Sequence, residues 1–186
     1  MNSIVLKMSS NQSNDSLNIN DDPNEILKRI LKDETNDDDS RTFNHEEEIE
    51  DYGSPIFWDK RYEEDAKTVE WIMEWDDFYD KIKHLFKGDE LVLDLGCGSS
   101  EMAAIMQKTI FKTVVAIDIS NIIIRKMIEK HKENKNLIFL EMDCRILKFK
   151  NESFDIVFDK GTLDAVVLGS NQEENVYITM REVWRV

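Results

Sequence analysis

Cysteine is scarce in this chain. Cys97 and Cys144 are the only two among 186 residues, and with no CxxC spacing they supply no disulfide framework, so reduced thiols are the expectation. A basic surplus is missing as well. The 24 lysines and arginines face 39 aspartates and glutamates, a formal charge of -15, and a nucleic-acid role that works by displacing counterions from phosphate lacks the charge for it. No apolar run approaches the roughly 20 residues that cross a bilayer. The N-terminus has neither an apolar secretory core nor an arginine-rich presequence. A soluble protein of the cytosol or nucleus is expected, the cytoplasm being the default, with neither nucleic acid nor membrane as partner. His45, His84 and His131 are scattered without metal-ligand spacing, so no metal is expected. No internal repeat of fixed period is visible.

What is present is divided unevenly. Residues 1–55 hold 14 acidic and 5 basic side chains, and runs such as Asp37-Asp-Asp39 and Glu46-Glu-Glu48 offer too little apolar surface to offset the entropy of ordering. Residues 1–54 therefore read as an acidic, Asn/Asp/Ser-rich disordered tail, and residues 55–186 as the folded part. One island interrupts the tail: Ile26, Leu27, Ile30 and Leu31 share a helical face, which fits a transient helix or one that docks onto the domain or a partner. Beyond Phe57 the pattern becomes periodic. Trp71, Ile72, Trp75, Phe78, Tyr79, Ile82 and Leu85 predict a helix ending near Lys87-Gly88.

Strands and helices then alternate. Leu91–Leu95, Thr113–Asp118, Leu137–Glu141 and Phe154–Asp159 are short apolar strands. Ser99 and Ser120 are candidate caps for helices through about Ile110 and Lys132, and Glu173–Trp184 predicts a last helix. Crossovers of this length cannot be hairpins, so the sheet should be parallel with helices on both faces, a Rossmann-like, doubly wound α/β fold.

The sharpest motif is Asp94-Leu-Gly-Cys-Gly-Ser-Ser100, between the first strand and a helix. Gly96 and Gly98 permit a tight turn and remove the β-carbons that would obstruct a ligand lying on the backbone. Asp118, at the end of the second strand, is placed for a carboxylate to accept both hydroxyls of a ribose. A dinucleotide site would want a small residue at 101. Glu101 stands there instead, and a carboxylate in the first helical turn repels phosphate. An adenosine ligand without phosphate fits better, and S-adenosyl-L-methionine, with its ribose, adenine, amino-acid tail and sulfonium, is such a ligand.

Four segments, Asp94-Leu-Gly-Cys-Gly98, Ala116-Ile-Asp-Ile-Ser120, Glu141-Met-Asp-Cys144 and Asp159-Lys-Gly-Thr-Leu-Asp-Ala165, resemble the successive motifs of class I S-adenosylmethionine-dependent methyltransferases. The last, with Phe57-Trp-Asp-Lys-Arg-Tyr62 and Glu70-Trp71, resembles the branch that includes lysine methyltransferases of translation elongation factor one-alpha. The resemblance spans about residues 55–186. It implies cofactor contacts from Trp58, Tyr62, Trp71, Gly96, Asp118, Ile119, Asp143, Cys144 and Lys160, with Asp143 accepting from the adenine amino group and Ile119 packing on the ring. Aromatic faces at 58, 62 and 71 would also attract a sulfonium. Arg61 is a candidate clamp for the cofactor carboxylate, while Cys97 and Cys144 read as packing residues because methyl transfer needs no covalent enzyme intermediate.

The implied activity is methylation of a protein lysine on an elongation factor, the alternatives being a small-molecule methyltransferase or a silent cofactor- or partner-binding module. Asp159 and Asp164 are candidates for orienting the acceptor or taking its proton. In the family the helix ending at Val186 continues into further strands, so the chain is expected to be truncated after the fourth strand and following helix. In the order 3-2-1-4 this leaves the fourth strand as an unpaired edge.

Overall fold

The computed structural model describes residues 4–7, 22–33, 51–64 and 75–186. In chain order the elements begin with β1 (Ile4–Lys7), α1 (Pro23–Ile30), α2 (Pro55–Glu64), α3 (Trp75–Ile82) and β2 (Val92–Leu95). They continue with α4 (Met102–Thr109), β3 (Val114–Asp118), α5 (Asn121–Lys130), β4 (Leu137–Glu141), β5 (Ile156–Asp159), α6 (Thr162–Leu168) and α7 (Gln172–Arg185). Strands β5, β2, β3 and β4 lie side by side and parallel, which is the doubly wound sheet that the alternating pattern predicts.

Because successive side chains of a strand face opposite ways, each strand feeds two cores. Val92, Val114, Ala116, Ile156 and Phe158 pack with Met102, Met106, Ile123 and Met127 of α4 and α5. Leu93, Leu95, Val115, Ile117 and Val157 face the other way, against Val166 of α6 and Val183 of α7. Ser120 caps α5 as expected, its Oγ accepting from the Ile123 amide at 3.4 Å. Ser99 does not cap α4. Ser100 Oγ accepts from the Met102 amide at 3.0 Å, and the helix starts two residues later than a Ser99 cap would place it.

Two expectations are corrected by the N-terminal segment. The fourth strand of the sequence reading, β5, is no edge: β1 pairs with it antiparallel, Ile4 opposite Asp159 and Lys7 opposite Ile156. Nor does an unstructured reading hold throughout residues 1–54, since α1 is part of the second core, with Ile26 and Ile30 each 2 % exposed. The cause lies in the β4–β5 connection, which contains no helix and leaves that face of the sheet to be covered from elsewhere. α1 covers it, next to Leu147, Phe149 and Phe154. Its end is stitched down by backbone bonds, Lys150 N to Ile30 O at 2.7 Å and Lys32 N to Lys148 O at 3.0 Å. Asp22 caps the start, its carboxylate accepting from the Asn24 amide at 2.8 Å.

Candidate functional site

The C-terminal ends of the four parallel strands open into one cavity. Its floor is built from the turn after β2 (Gly96–Ser100), from Asp118 and Ile119 after β3, and from 142–145 after β4. Lys160–Thr162 after β5 and the exposed flank of α6 form one side, and Tyr52, Trp58, Arg61 and Tyr62 form the opposite wall. Ligands of doubly wound sheets bind at this crevice.

Gly96 and Gly98 adopt φ of 68° and 52°, a left-handed backbone that disfavours any residue with a β-carbon. The space they free is taken by the protein itself. A β-carbon on Gly96 would lie 1.9 Å from Thr162 Oγ1, and one on Gly98 would lie 2.9 Å from the Tyr62 hydroxyl. Close approach is thus needed, but by α6 and α2 rather than by a ligand against these two atoms. Thr162 Oγ1 also donates to the Leu95 carbonyl at 2.6 Å, which fixes α6 to the glycine turn.

Asp118 is 6 % exposed. Its two carboxylate oxygens accept from the amides of Gly98 and Ser120, both at 2.9 Å, so the carboxylate braces the glycine turn from the cavity side. Burial pushes its pKa up to about 6, against the pull of those two amides, and Asp59 adds to the rise. Each carboxylate oxygen retains a lone pair for a further donor.

The wall is tied to this floor through α2. Ser120 Oγ donates to Asp59, and Lys126 Nζ donates to the Tyr62 carbonyl at 2.6 Å. Trp58 stacks on Tyr62 with ring centroids 5.8 Å apart. Burial, and secondarily the charge of Asp118, holds the Tyr62 phenol well above its ordinary pKa, so it stays neutral. Burial likewise lifts Cys97, and lifts Cys144 to about 12, leaving both as thiols that pack the cavity lining.

Of the residues singled out from the sequence, Trp58, Tyr62, Gly96, Asp118, Ile119, Asp143, Cys144, Lys160 and Asp164 all line this cavity, as do Arg61 and Cys97. Trp71 lies outside the described residues. Asp159 does not line the cavity. It is buried and spends Oδ1 on the Leu163 amide at 3.0 Å, stabilising the first turn of α6, so a role as proton acceptor is not supported by its position. Glu101 is also absent from the lining, because its carboxylate turns to Lys130 and His131 at the end of α5. Its charge is therefore directed away from the site, and the argument that it repels phosphate does not hold.

Arg145, Tyr52 and Thr162 were not legible as site residues. The Arg145 guanidinium, with a side chain only 5 % exposed, grips the Asp143 carboxylate through Nε at 3.0 Å and Nη2 at 2.6 Å. Asp143 therefore reaches the cavity already held by a cation.

Residues 92–186 match the family model described as a methyltransferase domain. The eEF1A lysine and N-terminal methyltransferase of Mus musculus is 34% identical over 138 residues, 73% of this chain and 19% of that protein. EEF1A lysine methyltransferase 4 of Bos taurus is 32% identical over 120 residues, 63% of this chain and 47% of that protein. The chain thus spans about a fifth of the length of the first relative and about half that of the second. Among solved structures, the PH0226 protein from Pyrococcus horikoshii OT3 superposes with a TM-score of 0.51 at 26% identity, covering 68% of this chain and 60% of that one.

Proposed function

The chain belongs to the methyltransferase-domain family, and from that premise we propose that it is an S-adenosylmethionine-dependent methyltransferase whose acceptor is a lysine of a translation elongation factor of the eEF1A type. The observation that carries the cofactor part is the buried Asp118 carboxylate, at the end of β3 and bonded to the turn that Gly96 and Gly98 make. That is the placement a ribose diol requires. The acceptor part is supported by relatives whose names give eEF1A as their target. A cytoplasmic location belongs to the same proposal.

In this reading Asp118 holds the ribose and Ile119 packs on the adenine. Asp143, oriented by Arg145, accepts from the adenine amino group. Trp58 and Tyr62 present ring faces suited to a sulfonium, and Arg61 and Lys160 supply cations for the amino-acid carboxylate. S-adenosylmethionine, when bound, supplies an activated methyl group. The chain's own work is then alignment and water exclusion, and Asp164, on the cavity flank of α6, is the carboxylate available to orient an incoming ammonium and take its proton.

Calorimetric titration of the chain with S-adenosylmethionine and S-adenosylhomocysteine tests the cofactor. Labelled methyl transfer to purified eEF1A, with lysine-to-arginine variants to locate the target, tests the acceptor. Absence of affinity for both nucleosides would overturn the reading at its first step, whereas affinity without transfer to eEF1A would overturn the acceptor alone.

A further inference from the structure

We propose that Arg145 is a positioning residue that holds the floor and the aromatic wall of the cavity together as one body. An arginine taken out of water must satisfy its donors within the protein, and this one divides them between two segments far apart in sequence. Toward the floor it forks onto Asp143. Toward the wall its Nη2 donates to the Gly53 carbonyl at 3.0 Å.

Gly53 belongs to a turn that is clasped at three further points. The Asp51 carboxylate accepts from the Gly53 amide at 2.8 Å, from the Ser170 amide at 3.1 Å and from the Ser170 hydroxyl at 2.7 Å. Gly169 receives the turn closely: a β-carbon there would sit 2.8 Å from Asp51 Oδ1 and 2.9 Å from the Gly53 nitrogen. From the turn the chain passes into the wall, where the Tyr52 carbonyl accepts from Trp58 Nε1 at 2.8 Å. The path therefore runs from Asp143 through Arg145 and Gly53 to Asp51 and the α6–α7 loop, and on to Tyr52 and Trp58.

Apart from the Asp59–Ser120 and Lys126–Tyr62 bonds to α5 and the partly buried Tyr62 ring, the wall has few other ties. α2 buries none of its own residues, and an element with few buried apolar contacts opens locally at low cost. Severing the Arg145 link should release the wall while the sheet stays intact. This inference rests on the reading that the cavity takes an S-adenosyl nucleoside, since a released wall would then weaken that ligand.

The test compares the full chain with Arg145→Lys, which keeps the charge but loses the fork, and with Gly169→Ala, which pushes the turn off its seat against Asp51 without adding or removing a charge. Amide hydrogen exchange is followed in the free protein, and S-adenosylhomocysteine affinity is measured by calorimetry. Both variants should speed exchange at residues 51–62 by about tenfold or more while amides of β2, β3 and β4 keep their protection. The nucleoside should bind on the order of tenfold more weakly. Unchanged exchange at 51–62 overturns the proposal, as does faster exchange with an undiminished affinity. If Arg145→Lys does not fold, Gly169→Ala decides the same question. A wild-type chain that ignores the nucleoside sinks the cofactor reading alone, and the exchange measurement still decides whether Arg145 couples floor to wall.

Discussion

Asp118 answers two opposed demands at one position. As a buried carboxylate it is costly, and its pKa of about 6 records that cost. As the acceptor for the Gly98 and Ser120 amides it holds the glycine turn open toward the cavity. Asp118→Asn relieves the charge but leaves an amide NH2 facing one of two N–H donors, a loss of roughly 1–3 kcal/mol that largely cancels the gain. Melting at pH 7 should therefore move little, while S-adenosylhomocysteine affinity falls by about tenfold or more as the charge-assisted bonds to the ribose are lost. Calorimetry beside a thermal melt separates the two, and an affinity equal to wild type would remove Asp118 from the site. Gly96 makes the opposite kind of prediction. Gly96→Ala adds a β-carbon into Thr162 in a left-handed backbone, and urea denaturation should show a loss of about 2–4 kcal/mol. Combining it with Thr162→Ala should recover only part of this, because the backbone strain persists. The glycine turn was legible from its spacing, but the reason for its glycines was not: Thr162 lies 66 residues further on. Arg145 escaped for a similar reason, since its wall partner Gly53 is 92 residues away.

Elements were legible in proportion to how locally they are determined. The four parallel strands are short apolar runs, β2, β3 and β5 buried along their whole length and β4 only at alternate residues, and their bounds differ from expectation by at most two residues, all at their starts. α7 likewise follows its periodic pattern. α2 has no fully buried residue, and its half-buried Trp58, Asp59 and Tyr62 mix aromatic with charged side chains, so no apolar period betrays it, and α6 is seven residues long, too short for periodicity to separate helix from strand. The α1 pattern was visible at Ile26, Leu27, Ile30 and Leu31, yet its docking depends on a crossover that lacks a helix, which is a property of the assembled sheet. Docking of this kind has a measurable weight. Ile30→Ala removes a side chain 2 % exposed among Leu147, Phe149 and Phe154, and such truncations cost about 2–5 kcal/mol when the surroundings cannot collapse. Chemical denaturation of the full chain should show that loss in a single transition. A loss under about 0.5 kcal/mol, the size seen at ordinary surface positions, would mean that α1 is not part of the core.

At the scale of the whole molecule the acidic surplus combines with two buried aspartates of raised pKa, Asp118 and Asp159, and the combination sets a pH dependence. Asp118 and Asp159 are both pushed up to about 6, by burial first, from an ordinary 3.8. Between those values the native state binds more protons than the unfolded chain, so stability is highest below about pH 4 for these two groups and falls as pH rises through 6. The loss is on the order of 3 kcal/mol per group at most. Easing of the general negative repulsion works in the same direction. Asp51 runs the other way: burial would raise it, but hydrogen bonds from Ser170 and Gly53 and the Arg145 charge outweigh that and hold it below its ordinary value. Its support is lost only as pH falls below 3.8, outside the window in question. Cofactor affinity should have the reverse slope from stability, because the ribose is held by the ionised form of Asp118. Lowering pH from 7 to 5 crosses the carboxyl's titration near 6, and S-adenosylhomocysteine should bind about tenfold more weakly at the lower value. In Asp118→Asn the affinity should be weak and nearly level over the same range. A wild-type affinity that stays level from pH 7 to 5, or a variant that keeps the wild-type slope, would show that the carboxylate at 118 is not the group that meets the sugar.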